Sequence, residues 1–118
     1  MSLAARRAGA SLDAVLAALA DPHRRRAIDV LSRGALPAGE LAKAVGLAPP
    51  AMSRHLKTLR KAGLVQERHP DFDARVRVYA LRRGAMDELK RWLEETERLW
   101  AEQLLAFKAH LEEQDETA

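Results

Sequence analysis

The sequence predicts a mostly α-helical domain that carries one β-hairpin. Apolar residues recur at helical spacing through most of the chain. Between residues 64 and 81 the spacing changes to alternation, which is typical of paired strands. The 118 residues suit one compact domain, and the absence of cysteine excludes disulfides, thiolate metal sites and cysteine nucleophiles.

Two helices are predicted in the first third of the chain. Ser11 is a good N-cap for the first helix, whose apolar face consists of Leu12, Val15, Leu16 and Leu19. Asp21 and Pro22 begin the second helix, over residues 23–32, because aspartate caps a helix N-terminus and proline is tolerated at the first helical position. Residues 1–10 show no clear period, so we expect them to be disordered.

Two further helices are joined by a tight turn. The first covers residues 40–45 and ends at Gly46, and the second covers about 49–62 and ends before Gly63. Its inward face consists of Met52, Leu56 and Leu59. Two helices joined in this way and followed by a hairpin, here about residues 64–81 with predicted strands over 64–68 and 75–81, describe a winged helix-turn-helix.

A long helix closes the predicted domain. Beyond Gly84 the helical spacing returns and continues to residue 111, so the domain spans 11–111 and ends in a helix of about 84–111. Residues 112–118 have no apolar period, and we expect them to be a disordered tail.

The charge is divided unevenly between these parts. Residues 1–83 hold 16 Lys and Arg against 7 Asp and Glu, whereas residues 84–118 hold 4 against 10. A basic body followed by an acidic helix indicates a polyanion-binding module joined to a different kind of element. The alternative is that these are ordinary solvated helix faces.

The helix over 49–62 presents a basic outward face suited to a DNA major groove. Arg54 can pair with a guanine or neutralise a phosphate, and the hairpin adds arginines that can reach the DNA backbone. His55 lies at the edge of this face and is alternatively a half-buried histidine. The candidate DNA-binding residues are Ser53, Arg54, His55, Lys57, Lys61, Arg75 and Arg77.

Three segments resemble a known family. Residues 20–28, ADPHRRRAI, are similar to the opening segment of ArsR/SmtB-type bacterial transcriptional repressors, and residues 39–42, GELA, with residues 51–65, AMSRHLKTLRKAGLV, are similar to their helix-turn-helix. The resemblance implies a homodimeric repressor that leaves DNA when an effector binds. Metal-sensing members carry a Cys-x-Cys pair where this chain has Pro37 and Gly39, and the last helix has no histidine over residues 82–105.

The resemblance and the residues together predict a cytoplasmic, homodimeric winged helix-turn-helix repressor. Its predicted partners are double-stranded DNA and a second copy of itself, with no membrane, cofactor or metal, and its effector is left open. The dimer interface would combine the first helix with the last, through Leu12, Val15, Leu16, Leu19, Leu89, Trp92, Leu93, Trp100 and Leu104. The alternative is a monomer whose last helix breaks near Thr96 and folds back.

Four other interpretations are open at this point. The acidic last helix could dock a protein partner, with DNA binding weak. The run over residues 24–26 could clamp phosphate or be a solvated face. His69, Asp71 and Asp73 share a turn, but no fourth metal ligand is in view. No set of nucleophile, base and orienting residue is visible, so we do not expect an enzyme.

Overall fold

The structure, a computed structural model, describes residues 12–69 and 76–117. The predicted disordered N-terminus, Ser11, Asp71, Asp73, Arg75 and Ala118 lie outside the described residues. In chain order the described elements are α1 (12–19), α2 (Pro22–Leu31), β1 (Leu36–Pro37), α3 (Ala38–Val45), α4 (Pro49–Lys61), β2 (Val65–Arg68), β3 (Val78–Leu81) and α5 (Asp87–Thr117).

The predicted start of α2 is confirmed. Asp21 is its N-cap, and its carboxylate accepts hydrogen bonds from the backbone N–H groups of His23 at 2.8 Å and Arg24 at 3.2 Å. These bonds satisfy two of the donors that a helix N-terminus leaves free. Ala27 and Leu31 are fully or almost fully buried, so α2 turns the predicted face to the core.

The turn between α3 and α4 is also confirmed. Gly46 ends α3 in the left-handed region at φ 82°, and its N–H donates to the carbonyl of Ala42 at 2.9 Å. A residue with a Cβ would be strained there, which is why glycine suits this position. The inward faces of the two helices form the centre of the core, where Leu41, Met52, Leu56 and Leu59 are at most 1% exposed.

The sheet has one strand more than the sequence predicts. β1 pairs antiparallel with β3 at Leu36↔Tyr79, and β2 pairs with the other side of β3 from Val65↔Leu81 to Arg68↔Val78. The prediction that β3 begins at Arg75 is wrong for the described part of the strand, since Arg77 precedes it. The reason is that β2 ends at Arg68, so β3 has no partner before Val78.

The last helix is longer than predicted. α5 is continuous from Asp87 to Thr117, so the predicted disorder of 112–117 is wrong, as is a break near Thr96. Glutamate and glutamine favour a helix without any apolar period, and Gln114 bonds the ring of His110 one turn earlier at 3.2 Å. Sequence periodicity cannot detect a helix end of this composition.

The chain divides after Glu88 into two compact units, where the sequence predicts a single domain. The first contains the described elements α1 to β3, and the second is formed by α5 from Leu89 onwards. Among the described residues no charged or polar residue is buried, so the core of the first unit is apolar throughout. Within the same ranges, no helix combines the length and apolar character required to cross a bilayer.

Candidate DNA-binding surface

The outward face of α4 is basic and open to solvent. Its buried stripe of Met52, Leu56 and Leu59 fixes the helix against the core and turns the opposite face outward. The exposed side chains on that face are Ser53, Arg54, Lys57, Arg60 and Lys61. Four of the predicted DNA-binding residues therefore lie together on one accessible surface, and Arg60 joins them.

A cavity lies between α4 and the start of β3. It has a volume of about 200 Å³ and is lined by Ser53, Leu56, Lys57, Arg60, Arg77 and Tyr79. The fold thus brings Arg77 to the same place as Ser53 and Lys57, although 20 residues separate Lys57 from Arg77 in the chain. A small polar hollow ringed by three cationic side chains and a hydroxyl suits an oxyanion such as a phosphate.

Glu67 on β2 organises the cations of this cavity. Its carboxylate, whose side chain is only 14% exposed, accepts from Arg60 at 2.5 Å and from Arg77 Nε at 3.3 Å. The ring Nε2 of His69 lies 3.5 Å from the same carboxylate. Sequence reasoning missed Glu67, because nothing in the local pattern shows that one strand residue meets arginines from both sides.

His55 is half-buried and belongs to a contact within the domain. Its Nδ1 lies 3.3 Å from Nη1 of Arg24, and its ring centroid lies 5.9 Å from that of His23. Since a guanidinium only donates, Nδ1 is the acceptor in this contact. This contact agrees with the interpretation of His55 as a half-buried histidine within the domain.

The arginine run at the start of α2 has a structural role in two of its three members. Arg24 donates from Nε to the carbonyl of Ala18 at 2.6 Å and from Nη2 to that of Ala17 at 3.3 Å. Arg25 donates to the carbonyl of Leu19 at 2.7 Å. These carbonyls belong to the last turn of α1, where a helix leaves acceptors without intrahelical partners; that of Ala17 also accepts from the N–H of Ala20 at 3.3 Å. Arg25 remains exposed, as a solvated face would be, whereas Arg24 is half-buried.

The carboxylate of Asp21 lies close to Arg24 and His55. Desolvation by the surrounding chain raises the pKa of its carboxyl. Hydrogen bonds from the backbone N–H groups of Arg24 and His23, together with the nearby His55 ring and the Arg24 guanidinium, lower the pKa by more. The net result is a pKa below the ordinary aspartate value, so the carboxylate is the stable form at neutral pH.

The candidate dimer residues differ in exposure. Val15 is 1% exposed within the single chain, so it lies in the core of the first unit and is not available to a second copy. Leu12, Leu19 and Leu89 are half-buried. The larger exposed apolar side chains, at 40% or more, include Leu16, Trp92, Leu93, Trp100 and Leu104.

Metal ligands do not gather in the described ranges. Over residues 12–69 and 76–117, no three side chains of His, Cys, Asp or Glu come close enough to hold an ion together. His69 pairs with Glu67, and the two aspartates considered with it lie outside these ranges.

A basic helix in a helix-turn-helix, with a three-stranded sheet beside it, defines a winged helix-turn-helix regulator. The sequence profile described as bacterial regulatory protein, arsR family, matches residues 21–67. The crystal structure of the ArsR family transcriptional regulator RHA00566 superposes with a TM-score of 0.69 and 32% identity, covering 79% of this chain and 93% of that one. The chain belongs to the arsR family of bacterial regulatory proteins.

Two further regulators are similar over about half of the chain. The HTH-type transcriptional regulator Rv2034 of Mycobacterium tuberculosis is 45% identical over 58 residues, which cover 49% of this chain and 54% of that protein. The transcriptional repressor SdpR of Bacillus subtilis is 34% identical over 53 residues, which cover 45% of this chain and 59% of that protein. The chain therefore spans little more than half the length of these two relatives.

Proposed function

We propose that the protein is a homodimeric transcriptional repressor that binds an inverted-repeat operator in double-stranded DNA. The observation that carries the proposal is the exposed basic face of α4 beside the cavity that contains Arg77. We infer a regulatory role in the cytoplasm and no catalytic one. SdpR, a relative that is itself a repressor, favours repression over activation.

The geometry of α4 suits entry into a major groove. At ~1.5 Å rise per residue, its 13 residues extend roughly 20 Å, and a B-DNA major groove admits a helix of ordinary diameter. Arg54 is exposed in the N-terminal half of α4, the half in which recognition helices contact base edges. We assign base contact to Arg54 and phosphate contact to Lys57 and Lys61. The cavity would receive a backbone phosphate.

A dimer would supply a second recognition helix. One α4 contacts one half-site, whereas two copies related by a two-fold axis read inverted half-sites about 34 Å apart or a multiple of that distance. The apolar surface of the chain supports self-association, because Trp100 is 67% exposed and Leu104 63% exposed. Soluble monomers seldom expose a continuous apolar patch larger than a few hundred Å².

The test is binding of the full chain to DNA selected from a random pool. Fluorescence anisotropy should show tight, sequence-selective binding that competitor DNA does not abolish. We expect Arg54→Ala to weaken binding by ~1–3 kcal/mol and to relax the preference at one base position. Lys57→Ala should weaken binding to all sequences alike and reduce the salt slope by about one unit. Lys108→Ala, on α5, is the matched control and should change neither.

Unchanged affinity and base preference in Arg54→Ala would contradict the assignment of α4 as the recognition helix.

A second candidate function is favoured by the exposed apolar side chains of α5: an interaction module that docks another protein through this acidic helix. In that case DNA binding would be weak and would disappear under competition. A mobility shift with excess competitor separates the two.

A further inference from the structure

A cavity on the outer side of α2 gathers charged side chains that have no role in the DNA-binding surface. It has a volume of about 530 Å³ and is here called the α2 cavity. Val30 and Ala44 add apolar surface to it, and its charged lining consists of Arg25, Arg26, Asp29 and Arg33. Small-molecule sites have this size and combine apolar walls with a few convergent polar groups.

The helical spacing of α2 explains why these side chains converge. Ala27 and Leu31 are buried against the core, and at ~100° per residue Arg26 and Asp29 point away from them. Arg33, two residues beyond the last residue of α2, continues the same row. Side chains three or four residues apart on a helix are neighbours. The α2 cavity therefore has cations towards both ends and the carboxylate of Asp29 between them.

Most of these charged groups have no partner within the protein. Over residues 12–69 and 76–117, the side chains of Arg26, Asp29 and Arg33 form no hydrogen bond or ion pair. Arg25 donates from Nη1 to the carbonyl of Leu19 at 2.7 Å, and its other N–H groups stay available. With three arginines and one aspartate, the α2 cavity has a net charge of +2.

We propose that the α2 cavity binds a small organic dicarboxylate that has a hydroxyl group between its two ends. Arg25 and Arg26 would hold one carboxylate, and Arg33 would hold the other. Asp29 would accept a hydrogen bond from the hydroxyl group. Planar guanidinium groups match carboxylate oxygens in pairs of parallel hydrogen bonds. The proposal goes beyond DNA binding and does not depend on it, because no residue that lines the α2 cavity is assigned to DNA contact.

Length and charge both favour a ligand with two singly charged ends. Arg26 and Arg33 are seven residues apart, or roughly 10 Å along a helix, so a chain of several atoms reaches both more readily than a single small ion. Two carboxylates bring a charge of −2, which matches the net charge of +2 in the α2 cavity. Two phosphate monoesters would exceed it, since each carries about −1.5 to −2 at neutral pH.

Asp29 favours a small ligand over a nucleic acid. Double-stranded DNA carries one negative charge per ~1.7 Å of helix axis, so its phosphates would pass close to a carboxylate in the middle of the contact and be repelled by it. A hydroxylated dicarboxylate places its negative charges at the two ends only. It also offers Asp29 a hydrogen-bond donor.

Three six-carbon acids separate the parts of the proposal in isothermal titration calorimetry of the full chain without DNA. Galactarate has two carboxylates and hydroxyl groups between them, adipate lacks the hydroxyl groups, and gluconate lacks one carboxylate. Galactarate should bind at one site with a Kd below about 1 mM. Gluconate should bind about fivefold more weakly and adipate about threefold more weakly, the range expected for one exposed charged contact.

Two variants assign these differences to residues. Arg33→Ala should reduce the affinity for galactarate to that for gluconate, because only one end of the α2 cavity remains. Asp29→Ala should remove the preference for galactarate over adipate. Both side chains are exposed and unpaired within the described residues, so the fold should persist, which circular dichroism checks. Arg83→Ala is the matched control: it removes the same charge outside the α2 cavity and should leave the affinity within about twofold.

Each contrary result overturns the proposal in a different way. No saturable galactarate binding up to about 10 mM would remove the ligand. A galactarate site that neither variant alters would lie elsewhere on the protein. Stronger binding of unrelated-sequence DNA by Asp29→Ala, with a salt slope steeper by about 0.9, would show that DNA contacts this face. Operator binding by α4 is measured separately with Arg54→Ala, so failure of the α2 cavity and failure of the proposed function remain distinguishable.

Discussion

Glu67 offers a sharp test of the electrostatics at the DNA-binding surface. Its carboxylate lies within 3.3 Å of guanidinium groups of both Arg60 and Arg77, which line the cavity beside α4. The three side chains together carry one net positive charge. Glu67→Gln keeps the shape of the side chain and leaves two positive charges facing the proposed path of the DNA.

The expected effect follows from counterion release. Each phosphate that the protein neutralises contributes about 0.9 to the slope of log affinity against log salt concentration. One additional positive charge should therefore steepen the slope by about 0.9. If the two proteins bind equally at about 1 M salt, the variant should bind about eightfold more tightly at about 0.1 M salt. The arginine side chains of these ion pairs are 51% and 66% exposed, so loss of the pairs should lower the free energy of unfolding by only about 1 kcal/mol.

Fluorescence anisotropy on unrelated-sequence DNA, repeated over a range of salt concentrations, measures both quantities. Glu102→Gln makes the same chemical change on α5 and should leave the slope unaltered. An unchanged slope for Glu67→Gln would place Glu67 away from the bound DNA. Weaker binding with a shallower slope would show that Glu67 chiefly holds Arg60 and Arg77 in position, and would refute the reasoning above.

Three further outcomes are expected. Arg24→Ala should lower the free energy of unfolding by about 2–3 kcal/mol in urea titrations, because it removes charge-assisted bonds to two carbonyls of α1 and to His55; Arg26→Ala, on the exposed face of α2, should change it by less than about 0.5 kcal/mol. The lowered pKa of Asp21 stabilises the fold above the ordinary aspartate pKa, and this is lost as pH falls through the lowered value. Asp21→Asn should therefore show a weaker decline of stability in acid, measured by urea titrations at successive pH values. Zinc should show no stoichiometric binding tighter than about micromolar in calorimetry of chelator-treated protein, since the chain has no cysteine; a nanomolar isotherm abolished by His69→Ala would contradict this.

Local signals in the sequence were sufficient for most of the helix-turn-helix. Asp21 and Pro22 mark the start of α2, and Gly46 ends α3, because capping and a left-handed backbone depend on the residue itself. The apolar stripe of α4 predicts both its buried and its basic face, since helical spacing alone decides which side chains share a side. The recognition helix was therefore predictable almost to its ends.

Weak or absent periodicity explains the errors at the boundaries. β1 has two residues, too few to show alternation, and it forms a strand because it pairs with β3. The acidic end of α5 has helical propensity but no apolar repeat. A spacing pattern records neither the pairing of two distant strands nor helical propensity without an apolar repeat.

The amino-acid sequence by itself determined the family, the order of the elements and the basic face of α4, since each depends on residues close together in the chain. Only the tertiary structure decided which charged side chains bind to other parts of the protein. Arg24 forms hydrogen bonds with the last turn of α1 and with His55. Arg77 and Arg60 both form ion pairs with Glu67. The physical reason is that a charged side chain reaches several ångströms from its backbone, so its partner depends on which elements the fold places within that reach.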